Sequence, residues 1–482
     1  MGMDLFANIA TTSLGGPHRE AIVAAVRDGD WRLVFPSGSS SPPPLLVGRT
    51  EQAARINSLA AELTRPPEAA RSIHGVVLFG PRGVGKTALL NILANELPRM
   101  APGLVQTIRL SGSNLSSAED LAWEILRRTP EGTEKVKTTR RRIGIKMANL
   151  SVTTTTSPDR RGSAPGSAAP SVLFALDRFG SLEGGGRAPV LICVDEAHVS
   201  HPMALTRLLE AAQTLNGASC PVAVALAGTP DVLDVLRLTE ATWFLDRAQD
   251  ERLLPVGNLT DGQCALAVAD PLATAGVAFE RDRLREAAGW CRGSPYFTQA
   301  LGSAAMAAAF EGSRRADFSA DGPVRAAFLD VAQRRYSEAW TNIDRVGLTG
   351  CARQLGALWR WSRSGEGRLI HEEDVEAAVL SGLNHPPTHK SPTLSGEEAG
   401  VHFRHLGLLW SPSGNRAGPW ELGLPSFFAY VESVYQSRAN RRYHETLDAL
   451  VADEASIVPP DPSPGRKTTV APDSIQTGSD RT

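Results

Sequence analysis

The sequence predicts an α/β fold: a parallel sheet covered by helices, then a helical lid, then a winged helix-turn-helix unit. Three patterns lead there. Apolar runs of strand type at 76–79, 105–110, 190–194 and 222–227 alternate with helical periods, the signature of a parallel sheet with crossover helices. After residue 255 the periodicity turns helical. Between 325 and 437, three helical stretches precede two short strand-type segments around a Gly-rich turn.

The elements follow in order. Residues 1–44 are an N-terminal segment and linker, with a helical stretch at 19–26 and a Pro/Ser-rich run at 36–44 that supports neither a helix nor a central strand. Residues 45–254 hold the sheet. They are interrupted by a Thr/Ser/Gly/Pro-rich insertion at 130–171, whose 140–157 part suits an exposed hairpin and whose Arg140-Arg141-Arg142 run reads as a solvated loop flank. Residues 255–315 form the lid, where Phe297, Ala300, Leu301, Ala304, Ala305 and Ala308 fall on one helical stripe. Residues 325–437 are the winged-helix unit. The tail, 438–482, is expected to be mostly disordered, being rich in Pro, Ser, Asp and Thr from about 452.

Composition narrows the class. A chain of 482 residues, 42% hydrophobic and 21% charged, is that of a multidomain soluble protein able to bury several cores. A net charge of −2 gives no global attraction to nucleic acid or anionic membrane. The opening Met1-Gly2-Met3-Asp4 lacks a basic signal region and no apolar run reaches bilayer length, so a cytoplasmic location without a membrane partner is expected. Cys193, Cys220, Cys264, Cys291 and Cys351 are scattered singly and read as reduced core residues.

Chemistry concentrates after the first strand. Gly80-Pro81-Arg82-Gly83-Val84-Gly85-Lys86-Thr87 satisfies G-x-x-x-x-G-K-[ST] between an apolar strand and a helix that begins through Ala88. Glycines allow backbone N–H groups to turn inward around phosphate oxygens. The helix N-terminus adds its dipole, Lys86 adds a full charge at the terminal phosphates, and Thr87 is placed to ligate Mg²⁺. The implied cofactors are ATP and Mg²⁺. Residues 190–194 run into Asp195-Glu196, a buried strand delivering two carboxylates to its C-terminal edge: Asp195 for the magnesium, Glu196 to orient or deprotonate the attacking water. His198 reads as a capping or surface histidine. The run 222–227 ends in Gly228-Thr229-Pro230, which puts the Thr229 hydroxyl at the same sheet edge.

These residues resemble the P-loop ATPases of the AAA+ and STAND superfamilies, particularly prokaryotic modules related to replication initiators, over residues 45–435. The segment Leu46-Val47-Gly48-Arg49-Thr50-Glu51 looks like the h-h-G-R-x-x-E box, whose apolar part packs beside adenine in the family. Gly293-Ser294-Pro295 looks like the G-x-P motif of the lid, with the proline near the base, and Thr229 fits a sensor 1 position. The resemblance also implies an arginine offered to the neighbouring subunit. Arg247 is the candidate, with Arg252 second. A basic sensor 2 is not evident, because Arg292 precedes the Gly-Ser-Pro motif. That favours STAND-like switching over a strict motor.

The C-terminal unit has its own reading. Cys351, Leu355, Leu358 and Trp359 make one stripe, 372–380 a second helix, and Ser395-Gly396-Glu397-Glu398 a capping box that opens a third. Groove-reading helices need basic or amide groups, whereas this one begins with two glutamates; Lys390, His402, Arg404, His405 and Arg416 offset them only in part. Docking to protein or within the chain ranks above DNA binding. The expected partners are ATP and ADP, with a homo-oligomer or another protein. The preferred function is an ATP-hydrolysing switch; the alternatives are a DNA-binding ATPase of initiator or regulator type and a non-catalytic nucleotide-stabilised scaffold.

Overall fold

The computed structural model describes residues 16–36, 43–65, 75–129, 170–182, 186–217, 221–239, 244, 252–363, 369–384, 395–414, 418–428 and 430–431. The Arg140–Arg142 run, Cys220, Arg247, Lys390, Arg416 and the 438–482 tail lie outside them.

A first helix, α1 (Gly16–Arg27), precedes the sheet. The sheet has five parallel strands: β1 (Gly75–Phe79), β2 (Gln106–Ser111), β3 (Val190–Asp195), β4 (Val222–Gly228) and β5 (Leu253–Pro255), in spatial order β2-β3-β4-β1-β5. Four are the strands expected from apolar runs. The fifth is three residues long, too short to register as a pattern, and is held by pairing with β1. Because successive strand residues point to opposite faces, β1 divides its side chains between two cores. Val76 and Leu78 pack with α2 (Thr50–Leu63) and α3 (Lys86–Met100). Val77 and Phe79 pack with α4 (Ala118–Arg127), α5 (Val172–Gly180), α6 (Pro202–Gly217) and α7 (Asp231–Arg237). Burial on both faces is why these strands read as continuous apolar runs.

Helices follow. α8 (Asp261–Thr274), α9 (Arg281–Ala288) and α10 (Pro295–Glu311) form the expected lid, with Phe297, Ala300, Leu301, Ala304 and Ala305 buried and Ala308 half-buried. α11 (Pro323–Arg345), α12 (Thr349–Arg363), α13 (Glu372–Asn384) and α14 (Gly396–His405) continue the chain. The last begins at Ser395, where the capping box forms. β6 (Leu409–Trp410) and β7 (Glu421–Leu422) close an antiparallel pair around the turn.

The lid and C-terminal stretches share one apolar core. Aromatic rings link them, from Phe297 through Phe328 and Tyr336 to Phe427. The N-terminal stretch joins the same core through Ile22 and through Phe35, which lies against Gly302 of α10. Trp410 departs from this pattern. It sits in the core of the sheet, its ring 6.4 Å from that of Phe79 and edge-on to it. The C-terminal unit is therefore anchored on the strand that leads into the glycine-rich loop.

Candidate functional site

β1 delivers the chain to Gly80, and the loop returns to helix at Lys86. Gly80, Gly83 and Gly85 all take positive φ (154°, 84° and 96°), conformations that L side chains rarely adopt. At Gly85, which caps α3, a Cβ would meet nothing within 4 Å, so the demand for glycine there is conformational and the space beside it is open. Lys86 is 9% exposed; its Nζ donates to the carbonyls of Gly80, at 2.8 Å, and Pro81. Burial pushes its pKa down to about 7, against the opposing pull of Asp195.

The Thr87 hydroxyl donates to Asp195 Oδ1 at 3.2 Å, so the start of α3 and the end of β3 meet across the sheet edge. The same oxygen accepts the Glu196 N–H at 2.9 Å. Glu196 itself is exposed and lies in the left-handed region (φ 51°, ψ 39°), where a non-glycine residue is strained. This sharp turn ends β3 and places the two carboxylates differently, Asp195 half-buried and Glu196 in the open.

β4 lies between β1 and β3, which brings Thr229 to the middle of the same edge. Thr229 is 2% exposed. Its N–H donates to His198 Nδ1 at 3.4 Å, and its hydroxyl donates to Asp231 Oδ2 at 3.2 Å. His198 is thus half-buried and bonded to the β4 turn rather than lying on the surface, and burial lowers its pKa. Asp231 Oδ2 also lies 3.0 Å from His405 Nδ1, at the end of α14. A line of polar contacts runs from the β3 turn to the C-terminal unit.

Arg49 is buried, and its guanidinium donates to the carbonyls of Val84, at 3.0 Å, and Gly257, at 2.7 Å. It clamps the glycine-rich loop to the segment that follows β5. Burial lowers its pKa to about 10, so it remains a cation. Val47 is buried in the lid core, and Gly48 (φ 69°) lies directly under the Gln263 amide. Pro295 opens α10, and a Cβ on Gly83 would stand 3.5 Å from the Tyr296 Cβ, so lid and loop adjoin. Arg252 precedes β5, its carbonyl accepting the Val77 N–H, which sets it towards the sheet end away from the loop.

The C-terminal unit covers the beginning of the loop. A Cβ on Gly423 would stand 2.7 Å from the Pro81 Cβ, and one on Gly407 would stand 3.2 Å from the Arg82 nitrogen. Arg237 donates to the Gly414 carbonyl at 3.0 Å. Between these parts is a cavity of about 60 Å³ lined by Arg82 and Gly83 of the loop, Ser294 and Tyr296 of the lid, and Arg335 and Asn342 of α11, among others.

These residues fit a magnesium nucleotide. An open glycine cradle, a buried cation at the loop's start and a hydroxyl paired with a carboxylate supply phosphate donors and hard oxygen ligands. Asp231, Trp410 and Arg335 were not singled out from the sequence, and His405 was read only as a basic group of the last helix. Only the position of Asp231, two residues after Thr229, offered a signal.

A family model, the AAA domain, matches residues 74–236. The search of curated proteins gave no match. Among solved structures, the chain is similar to the Aeropyrum pernix ORC2 protein in its ADP form (16% identity, 85% of this chain, 98% of that one, TM-score 0.48). It is similar too to a Walker-type ATPase of Pyrococcus abyssi (14% identity, 80% and 95%, TM-score 0.47). Cdc6p from Pyrobaculum aerophilum is a further similar structure (15% identity, 84% and 94%, TM-score 0.40).

Proposed function

We propose that this chain, whose residues 74–236 match an AAA domain model, is an ATP-hydrolysing switch in which nucleotide state controls how the C-terminal unit is seated. The observation that carries this reading is the placement of Trp410, Gly407 and Gly423 against β1 and the first loop residues. A shift at Pro81 or Arg82 is therefore met directly by that unit.

In this reading Gly83, Val84, Gly85, Lys86, Thr87 and Ala88 hold the phosphates, while Thr87 and Asp195 hold Mg²⁺, which supplies charge neutralisation at the transferring phosphoryl group. Glu196, exposed beside Asp195, orients a water and takes its proton. Thr229, fixed by His198 and Asp231, reports the state of the edge. Val47, Gly48 and Pro295 border the base, with Arg49 keeping the loop in shape from behind. Arg247 acts on a neighbouring subunit, and the residue ranges given above are the functional units.

Two of the three basic groups of α14 are engaged inside the chain: Arg404 lies over the Trp420 ring at 5.5 Å and His405 meets Asp231. This favours intramolecular docking over a DNA-reading role. The decisive test measures ATP and ADP affinity together with the separation of core and C-terminal unit, by a pair of fluorescent labels, in the parent and in Lys86→Ala. Nucleotide-dependent separation in the parent, absent in Lys86→Ala, is expected. A separation indifferent to nucleotide in a protein that binds ATP refutes the switch.

A further inference from the structure

The helices α4, α5 and α6 cover one face of the sheet, the face opposite α2 and α3. Within that layer α5 is apolar on more than its inner side. Of its large apolar side chains Val172, Leu176 and Phe179 are buried, while Leu173 is 38% and Phe174 57% exposed. A helix that is apolar all round is one that something covers on every side.

A groove of about 470 Å³ opens beside Leu173. It is lined by Glu119 at the start of α4, Pro170, Val172 and Leu173 at the start of α5, and Arg207 and Ala211 of α6, among others. This is the size of a pocket that takes several apolar groups. Arg207 is paired with Glu210 at 2.7 Å, whereas Glu119 is exposed and has no ion pair among the described residues.

The path of the chain says what covers this groove. The starts of α4 and α5 both line it, so the chain that leaves the end of α4 at Thr129 must return the length of that helix, about 15 Å, to re-enter at Pro170. About five extended residues would span that distance. Residues 130–169 supply forty, with eight Lys and Arg against three Asp and Glu, in a chain whose net charge is −2. Directly after Arg140-Arg141-Arg142 come Ile143, Ile145 and Met147, alternate positions that an extended chain puts on one side.

We propose that the groove between α4, α5 and α6 is the docking site of the chain's own insertion: Ile143, Ile145 and Met147 fill it against Val172, Leu173 and Ala211, and the neighbouring arginines face Glu119. Tethering at both ends makes the contact intramolecular, at high effective concentration, so a few apolar side chains suffice to hold it. The arginine run is thereby kept against the protein instead of being offered to a polyanion. This docking needs no nucleotide and is independent of the P-loop reading.

The experiment is limited trypsin digestion of the full chain, following by mass spectrometry the first cut within residues 140–146, because cleavage reports how often a segment is released. The parent is compared with Ile143→Ser/Ile145→Ser/Met147→Ser, Leu173→Ser, Leu173→Met and Glu119→Gln, with circular dichroism to check each fold. The triple variant and Leu173→Ser should each raise the cutting rate about tenfold or more, and combining them should add little, since both remove one contact. Leu173→Met, which keeps an apolar side chain, should stay within about twofold of the parent. Glu119→Gln should raise the rate about two- to fivefold, the scale of an exposed pair. Should Leu173→Ser fail to fold, the triple variant decides alone. A parent cut as fast as the triple variant, or effects that simply add, overturns the docking. Protection lost on dilution would place the segment on a second copy, and protection seen only with added duplex DNA would give it to a polyanion; either result also overturns the assignment.

Discussion

Removing the Trp410 side chain should release the C-terminal unit from the loop. Trp410 is 1% exposed and is the member of that unit that enters the core of the sheet, edge-on to Phe79 and against Gly257. Truncating a buried Phe or Trp to Ala costs about 3–5 kcal/mol, and anchors of this kind dominate docking surfaces. The polar contacts of the unit with the sheet and the segment after it are weaker: Arg237 to the Gly414 carbonyl is exposed, His405 beside Asp231 is largely exposed, and the two Asn258 contacts to the Leu422 and Gly423 carbonyls are long, at 3.4 Å. A loss of about 3 kcal/mol shifts the seated and released forms by about a hundredfold. Because Gly407 and Gly423 cover Pro81 and Arg82, bound nucleotide should leave faster from the released form. Stopped-flow release of fluorescent ADP is the assay. Trp410→Ala should accelerate release by up to about a hundredfold, whereas Trp410→Phe, which keeps most of the ring, should remain within about threefold. Near-ultraviolet circular dichroism checks that each variant retains its packing. A folded Trp410→Ala protein that releases ADP at the parent rate would refute the idea that this unit closes the site.

Glu196→Gln should bind ATP as the parent does and hydrolyse it about 10²- to 10⁴-fold more slowly, because the amide keeps the shape and cannot accept a proton; phosphate release at the parent rate would remove Glu196 from the chemistry. Arg247→Ala is expected to spare binding and lower hydrolysis about 10³-fold or more, and mixing it with Glu196→Gln should restore part of the rate if the arginine acts across subunits. Activity of the parent that stays first order in enzyme down to monomer concentrations counts against that arrangement, and normal hydrolysis by Arg247→Ala with loss in Arg252→Ala moves the role to Arg252. Asp231→Asn and His405→Ala should each speed ADP release about two- to fivefold, the scale of a partly exposed pair. The double variant should add nothing further; additive effects would show that the two residues do not act on one another.

The glycine-rich loop, Asp195, Glu196 and Thr229 were legible from the sequence because each sits within a few residues of a buried strand's end, where local pattern fixes both spacing and exposure. The same holds for the Ser395 capping box, which needs only four consecutive residues to form. Arg49 was only half legible: its motif located it beside the nucleotide region, while its two acceptors, Val84 and Gly257, are 35 and 208 positions away and turn its side chain to the backbone. β5 was missed because its three residues owe their conformation to pairing with β1 and not to any pattern of their own. Trp410 in the sequence is an apolar residue of a short strand, equally suited to its own unit's core; only the fold sends it to Phe79 instead. Likewise Asp231 and His405, 174 positions apart, become partners only when α14 is laid against the start of α7. The sequence by itself determined the nucleotide loop and the order of the four longer strands along the chain, since these depend on neighbouring residues. Tertiary structure alone decided that the C-terminal unit rests on the loop, because long-range packing is set by the sum of many buried contacts and no single stretch of chain carries that sum.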